Sequence, residues 1–476
     1  MQRLLYPSVR PGSEPSWWLQ EALAFEGNPP PLASLEEKLD VDVAIVGGGY
    51  TGLWTALSLR ERAPNLRIAL VEANVCGAGA SGKSGGLVHG YWHGMAKYSQ
   101  RFGDAIALEI AHMGSRAQDA IRAFCTAPGV DVWWHENGIV KIACSPAQDV
   151  FVEQTIAAAK RLGAVDKAVP LTPEEVQQRC ISPVFRAGVW LTEAGTVQPA
   201  RLVRALRRAA LQRGIQIYEN TPVDNVRVGP PHVVLTPHGK LRAPDVVLAL
   251  NARLTSRPDL QPHMMNFSSF MVLTEPVPER LQEIGWTGRE GLDDARMFLH
   301  YFRTTEDGRV AMGSGSGPID FNGSLAWTNN SPDAAARAET GLRRLLPGLG
   351  NVAVTHAWGG AIDVSADGVP FFGTLKPGGL HYGCGYSGHG VNPSWIGGNI
   401  LASLVLRQDD EWTRSFFCRR RVPMIFPEPF RTVVARLVRS AIIRCEEADE
   451  DEEPAPLLAR AGAALPKIFG IRLGTR

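Results

Sequence analysis

Between Val41 and Glu72 the chain has little choice of fold. Val41-Asp42-Val43-Ala44-Ile45-Val46 is a β-branched run with the composition of a buried strand. Gly47-Gly48-Gly49-Tyr50-Thr51-Gly52 follows at once and fits G-x-G-x-x-G. Residues 53–62 have helical spacing, broken by Pro64-Asn65, and 66–71 form a second apolar run closed by Glu72. Strand, glycine turn, helix and strand make one βαβ unit. A chain with 49 Gly matches such a motif somewhere by chance, so the flanking elements give it weight. Gly47 permits the tight turn, Gly49 lets backbone approach a pyrophosphate, and Gly52 lets helix and strand pack closely. The helix N-terminus offers free N–H groups and a partial positive charge to the phosphates. Glu72 would accept hydrogen bonds from a ribose 2′-hydroxyl and repel a 2′-phosphate. This predicts a dinucleotide site, for FAD or NAD. The chain then leaves for a sheet-rich region and returns to glycine-rich strand–loop–helix sequence near residue 380. An NAD domain more often continues through consecutive βαβ units, so the order favours FAD.

Composition narrows the class. The 476 residues suit two or three domains, and 45% hydrophobic with 20% charged residues excludes a disordered or fibrous chain. A formal net charge of +1 supplies no field for nucleic acid, so no nucleic-acid partner is expected. Seven Cys lie dispersed without a C-x-x-C pair, which reads as reduced thiols and no metal site. No signal-peptide pattern and no apolar run of membrane-spanning length appears, so the expected location is cytoplasmic.

The fold class expected is α/β plus α+β: a doubly wound FAD-binding domain interleaved with an antiparallel-sheet substrate domain, plus a C-terminal helical tail. Residues 1–40 read as an arm, wrapping the body through Tyr6, Trp17 and Trp18 or serving as a linker. Residues 41–100, 190–255 and 355–410 are assigned to the FAD domain, 101–189 and 256–354 to the substrate domain, and 419–476 to the extension. Sheet is predicted at 132–134, 138–143, 270–274, 298–302 and 309–312, the last two joined by the turn Glu306-Asp307-Gly308.

Residues 42–53, together with Gly77-Ala78-Gly79-Ala80-Ser81-Gly82-Lys83-Ser84-Gly85-Gly86, resemble the FAD-dependent D-amino-acid oxidase/glycine oxidase/sarcosine oxidase (DAO) superfamily. The γ-glutamylputrescine-oxidase-like branch is the most similar, with Lys83-Ser84 standing where it usually has Arg-Asn. Further matches are 198–203, 219–223, 248–252, Tyr301-Phe302-Arg303 with Asp307-Gly308-Arg309, 367–370 and the closing loop Gly385-Tyr386-Ser387-Gly388-His389-Gly390-Val391. The resemblance covers about residues 16–410 and not the tail after 418. It implies FAD held at Gly47, Gly49, Tyr50, Thr51, Gly52, Glu72, Ala80, Ser81, Lys83, Ser84, Gly85, Gly86, Val223, Asn251, Gly359, Gly388, His389, Gly390 and Val391. Some relatives attach flavin through Cys or His. Ser84 and the Gly359-Gly360 region occupy those positions here, so non-covalent FAD is expected.

The implied chemistry is oxidation of a small-molecule amine or amino-acid C–N bond. A neutral amine passes hydride to flavin N5, the imine hydrolyses to a carbonyl plus amine or ammonia, and O2 becomes H2O2. Donors from Gly388 to Val391 would stabilise negative charge at flavin N1/C2=O, or the segment is a core turn with His389 satisfied. Tyr301 and Arg303 share a strand face, where Arg303 would hold a substrate carboxylate and Tyr301 cap it, or both are ordinary packing. His300 lies on the same strand. His89, Tyr91, Trp92 and His93 would line the pocket or simply pack. Lys83 would touch flavin or pyrophosphate, or assist O2 reduction. In the tail Phe430, Val433, Val434, Leu437, Val438, Ala441 and Ile442 form a helical apolar stripe flanked by Arg residues. Segment 423–476 would dock on the body or a second subunit, or lie on a membrane surface, with the acidic run 446–453 as a solvated linker. The rival readings are a flavin dehydrogenase passing electrons to a quinone or other carrier, an NAD-dependent dehydrogenase, and a non-catalytic scaffold.

Overall fold

The computed structural model describes residues 15–325 and 327–468, so Tyr6 and the end of the last apolar segment lie outside it. The βαβ unit forms as the sequence requires. Strand Val43–Val46 leads into helix Tyr50–Arg62 and then strand Ile68–Val71, and the two strands pair in parallel. They sit inside a six-stranded sheet ordered Phe371–Leu375, Leu380–Cys384, Asp245–Leu248, Val43–Val46, Ile68–Val71, Gln216–Tyr218. Only Phe371–Leu375 runs antiparallel to its neighbour.

These strands are apolar on both faces because both are covered. Val43, Ile45, Ile68, Leu70 and Val247 pack with Leu53, Leu206 and Leu401 of helices Tyr50–Arg62, Pro199–Gln212 and Val391–Val405. Ala44, Val46, Ala69, Val71 and Val246 pack on Val234 and Leu241 of a four-stranded sheet. The result is a three-layer doubly wound domain.

A second, eight-stranded sheet is ordered Val354–Ser365, Met264–Thr274, Val310–Ser314, His300–Thr304, Gly291–Asp294, Ile139–Ile142, Gly188–Leu191, Ala168–Leu171. It is antiparallel except where Gly291–Asp294 meets Ile139–Ile142. On its far face Val272, Phe302, Val310 and Met312 pack on Ala338, Leu342 and Leu345 of helix Pro332–Leu345. On its near face Met271, Leu273, Ala311 and Trp358 meet Trp18, Leu19 and Ala22 of helix Trp17–Phe25. The sequence-based boundary at residue 355 falls at the head of Val354–Ser365, which belongs by pairing to this eight-stranded sheet.

Segment 132–134, expected as sheet, lies outside the strands: Trp133 has a φ of +54°, and regular pairing starts at Ile139. The acidic run is not a solvated linker over its whole length. Helix Phe430–Glu450 continues through its first half because Glu446, 4% exposed, pairs with the buried Arg296 at 3.2 Å. Glu450 adds a second pair to Arg296 at 3.0 Å. The tail helix docks on the body through Ala435, Val438 and Ile442 against Met265, Phe267 and Phe298, while Phe430, Val433 and Leu437 stay exposed. Among the described residues no helix is long and apolar enough to cross a membrane.

Candidate functional site

The turn after the first strand is built as a cradle. Gly47 has a φ of +115°, and a Cβ there would run into the Ala249 carbonyl oxygen. A Cβ on Gly52 would strike the Gly47 carbonyl oxygen. Helix Tyr50–Arg62 begins at Gly49, which has no side chain to cap its first turn. Glu72 accepts from Gly48 N at 2.8 Å and Asn74 N at 3.1 Å, and burial pushes its carboxyl above the usual range. Asn251, with a φ of +47°, carries a buried Oδ1 that has no hydrogen-bond partner. Val223 packs half-buried on the core beneath the four-stranded sheet.

The second glycine stretch folds over the first. Ser81 Oγ accepts from Tyr50 N at 3.0 Å, and Tyr50 Oη donates to the Pro199 carbonyl at 2.7 Å. Ala80 opens a 3-10 turn whose carbonyl accepts from Lys83 N and Ser84 N. Gly85 lies against the Tyr301 ring, 2.6 Å from where a Cβ would stand. Tyr301 Oη in turn meets Ser269 Oγ at 2.8 Å, and burial pushes its hydroxyl up to about 12. Gly86 is crowded by the Val197 carbonyl and Arg303. Lys83 Nζ donates to Asn329 Oδ1 at 3.1 Å, and burial lowers its pKa.

Five sequence candidates are placed otherwise than expected. Arg303 shares the near face with Tyr301, but it is 2% exposed and donates to the Val197 and Thr304 carbonyls beside the Trp18 ring. Its guanidinium is a structural strut, not an open carboxylate clamp. His300, one residue before Tyr301, alternates to the far face, where Asp294 holds its Nδ1 at 2.8 Å under Gly341. Gly359 likewise faces Phe270 on the far side, and its neighbour Gly360 is the one that meets Lys83. Tyr91 and Trp92 pack among helices, against Phe417 and His112 respectively.

The closing loop returns to the start of the chain's first helix. Tyr386 Oη and Thr51 Oγ1 are 2.7 Å apart. Asp363, at the end of the long edge strand, accepts from Gly385 N at 2.5 Å and Tyr386 N at 3.2 Å, and burial raises it to about 7. Gly388 has a φ of +86°, and helix Val391–Val405 starts at Gly390 without a side-chain cap. His389 stacks on His93 at 4.7 Å, and His93 Nδ1 lies 3.0 Å from His89 Nδ1. Burial holds all three imidazoles neutral, with His89 lowered to about 4 and His93 and His389 well below the usual range.

Sequence reading missed Asp363, Tyr386, Lys141 and Asp293. Lys141 interrupts the otherwise apolar strand Ile139–Ile142, which is the signal that could have found it. Its charge acts on His89, His93 and His389 and on Asp293, whose carboxyl burial raises to about 6.

The residues fit a dinucleotide: a cradle that a Cβ would block, an uncapped helix start, an acid closing the next strand and the orphaned Asn251 Oδ1. The family model described as FAD dependent oxidoreductase (DAO) matches residues 42–404. Gamma-glutamylputrescine oxidoreductase of Escherichia coli is 28% identical over 386 residues, 80% of this chain and 87% of that protein. Glycine oxidase of Geobacillus kaustophilus is 26% identical over 382 residues, 77% of this chain and 93% of that one. The crystal structure of glycine oxidase from Geobacillus kaustophilus superposes with a TM-score of 0.65 at 22% identity, covering 80% of this chain and 100% of the other.

Proposed function

Because this chain belongs to the DAO family of FAD-dependent oxidoreductases, we propose that it oxidises the C–N bond of a small amine or amino acid with O2 as acceptor. The observation that carries this reading is the approach of two uncapped helix starts, at Gly49 and Gly390, tied through Thr51 and Tyr386. Bound FAD supplies the acceptor for a hydride from the amine α-carbon.

The chain's own residues do the rest. Gly47, Gly49 and the first turn from Tyr50 hold the diphosphate, and Glu72 the ribose. Ala80–Gly86 close over them, and Gly388, Gly390 and Val391 would offer backbone donors and a helix dipole to negative charge on the bound flavin, while His389 N is spent on the Tyr386 carbonyl. Neutral His89, His93 and His389 add no charge to the crevice, and its burial favours the free-base amine over the ammonium. The amine loses two electrons and two protons to become an imine. Water then yields the carbonyl and ammonia or a smaller amine, and O2 takes up the electrons and protons as H2O2.

Anaerobic mixing with a panel of amines and amino acids tests this. A substrate should bleach the visible flavin band, and air should restore it with H2O2 formed in equal amount. Bleaching that air leaves unchanged and a quinone reverses would make the protein a dehydrogenase. Indifference to every amine would overturn the reading. Acid precipitation should leave the yellow colour in the supernatant, since FAD is held without a covalent bond. Colour kept in the pellet would contradict that.

A further inference from the structure

Helix Phe430–Glu450 lies beyond the family match at 42–404, yet it grips a segment that leads to the crevice. That segment leaves strand Val310–Ser314 and ends at helix Pro332–Leu345. Residues 315–320 lie outside the strands, so their carbonyls need donors from elsewhere. The tail supplies them. Arg439 Nε donates to the Gly317 carbonyl at 2.6 Å and its Nη2 to that of Ser316. Arg436 Nε donates to the Ile319 carbonyl at 3.0 Å. A guanidinium that spans two carbonyls fixes their direction as well as their place. Docking alone is already served by Ala435, Val438 and Ile442, which pack on the buried Ile319.

The contacts run on from there. Asp320 Oδ2 accepts from Trp327 N at 3.0 Å. Burial raises the Asp320 carboxyl, and the bond from Trp327 and the charge of Arg436 oppose that rise. Trp327 opens a turn in which Asn330 N donates to its carbonyl at 3.3 Å. The Thr328 carbonyl lies against Gly359 of the edge strand Val354–Ser365. Asn329 Oδ1 accepts from Lys83 Nζ at 3.1 Å, and among the described residues it is the one acceptor for that amine. The Lys83 backbone is held separately, its carbonyl accepting from Trp358 Nε1 at 2.9 Å. Where the amine points is therefore left to Asn329.

We propose that Arg436 and Arg439 are positioning residues for Lys83. Through residues 316–320 and the Asn329 turn, the C-terminal helix holds the Lys83 amine toward the isoalloxazine ring of bound FAD. This rests on flavin binding and not on the choice of amine or acceptor.

The test uses the full-length FAD-loaded protein and sulfite, a nucleophile that reversibly bleaches oxidised flavin. Positive charge fixed beside the ring stabilises the negative charge that sulfite brings. Lys83→Met should weaken sulfite affinity about tenfold or more. Arg436→Met, Arg439→Met and Asn329→Leu should each weaken it by about twofold to tenfold, and Arg439→Lys should recover part of the loss. Added to Lys83→Met, the tail changes should weaken it no further. Glu446→Gln loosens the same helix at its other end. It should lower thermal stability and leave sulfite affinity unchanged, which separates positioning from docking. Tail variants that lose stability at native sulfite affinity would overturn the proposal, as would full additivity with Lys83→Met. Lys83→Met that sheds flavin on gel filtration at native sulfite affinity would put the amine on the diphosphate and overturn it too. Should Arg439→Met fail to fold, Arg436→Met, which removes a single carbonyl contact, decides. Amine bleaching is read separately, so loss of the oxidation reading leaves these ratios intact.

Discussion

Gly47 is the residue where backbone geometry admits fewest alternatives. Its positive φ and its contact with the Ala249 carbonyl leave no room for a side chain. Gly47→Ala should lower FAD affinity by about tenfold or more, measured as flavin retained per protein after gel filtration. Arg303 makes the opposite point, since a residue expected to touch substrate is committed to backbone carbonyls. Arg303→Met should cost about 1–3 kcal/mol in denaturant unfolding, with the KM for carboxylate-bearing amines unmoved. A raised KM at native stability would return Arg303 to the substrate. The histidine cluster predicts an acid sensitivity. His89 drops to about 4 in the folded protein from an ordinary 6.5, so the unfolded chain binds its proton first. Stability is therefore lost as pH falls from about 6.5 toward 4 and is whole above that window. Melting temperatures should fall across it, and His89→Gln should flatten the slope.

At the scale of elements, the sequence revealed strands and turns better than faces. The runs 43–46, 68–71 and 245–248 are apolar throughout because both their faces are covered, and such runs stand out in any sequence. Alternation correctly joined Tyr301 to Arg303, but it could not say which face meets the glycine loops. That depends on helix Pro332–Leu345 covering the other side, a contact made between distant segments. His300 and Gly359 fell on the wrong face for this reason. Lys141 went unread because its surroundings come from distant segments, among them Asp293, in register on a strand more than a hundred residues away. The tail shows the same limit: eight acidic or small residues look solvated until Arg296 is placed beneath them. Glu446→Gln leaves that guanidinium short of charge in a buried site. Losses of about 3–5 kcal/mol accompany a broken buried pair, and an unfolding titration should find a drop of that order. A drop below about 1 kcal/mol would mean that the pair is solvated.

The whole molecule is two sheets crossed repeatedly by one chain. The six-stranded sheet takes strands from residues 43 to 384, and the eight-stranded sheet fills the intervals between them. The glycine motifs, the acid after the second strand and the return near 380 were enough to read this plan, because each lies within a short stretch. How the sheets share the crevice was beyond reach, since Asp363, Tyr386 and the buried lysine act only across the fold. The bond between Thr51 and Tyr386 spans 335 positions. On the ribosome, the N-terminal glycine turn emerges early and waits for most of translation before its partner loop appears. Nascent chains stalled ahead of Gly385 should remain colourless in the presence of FAD, and pigment should arrive only once the segment through Val405 has cleared the exit tunnel. Birth of the catalyst is thus postponed until that distant loop has emerged, and a product terminated ahead of it should carry no redox activity.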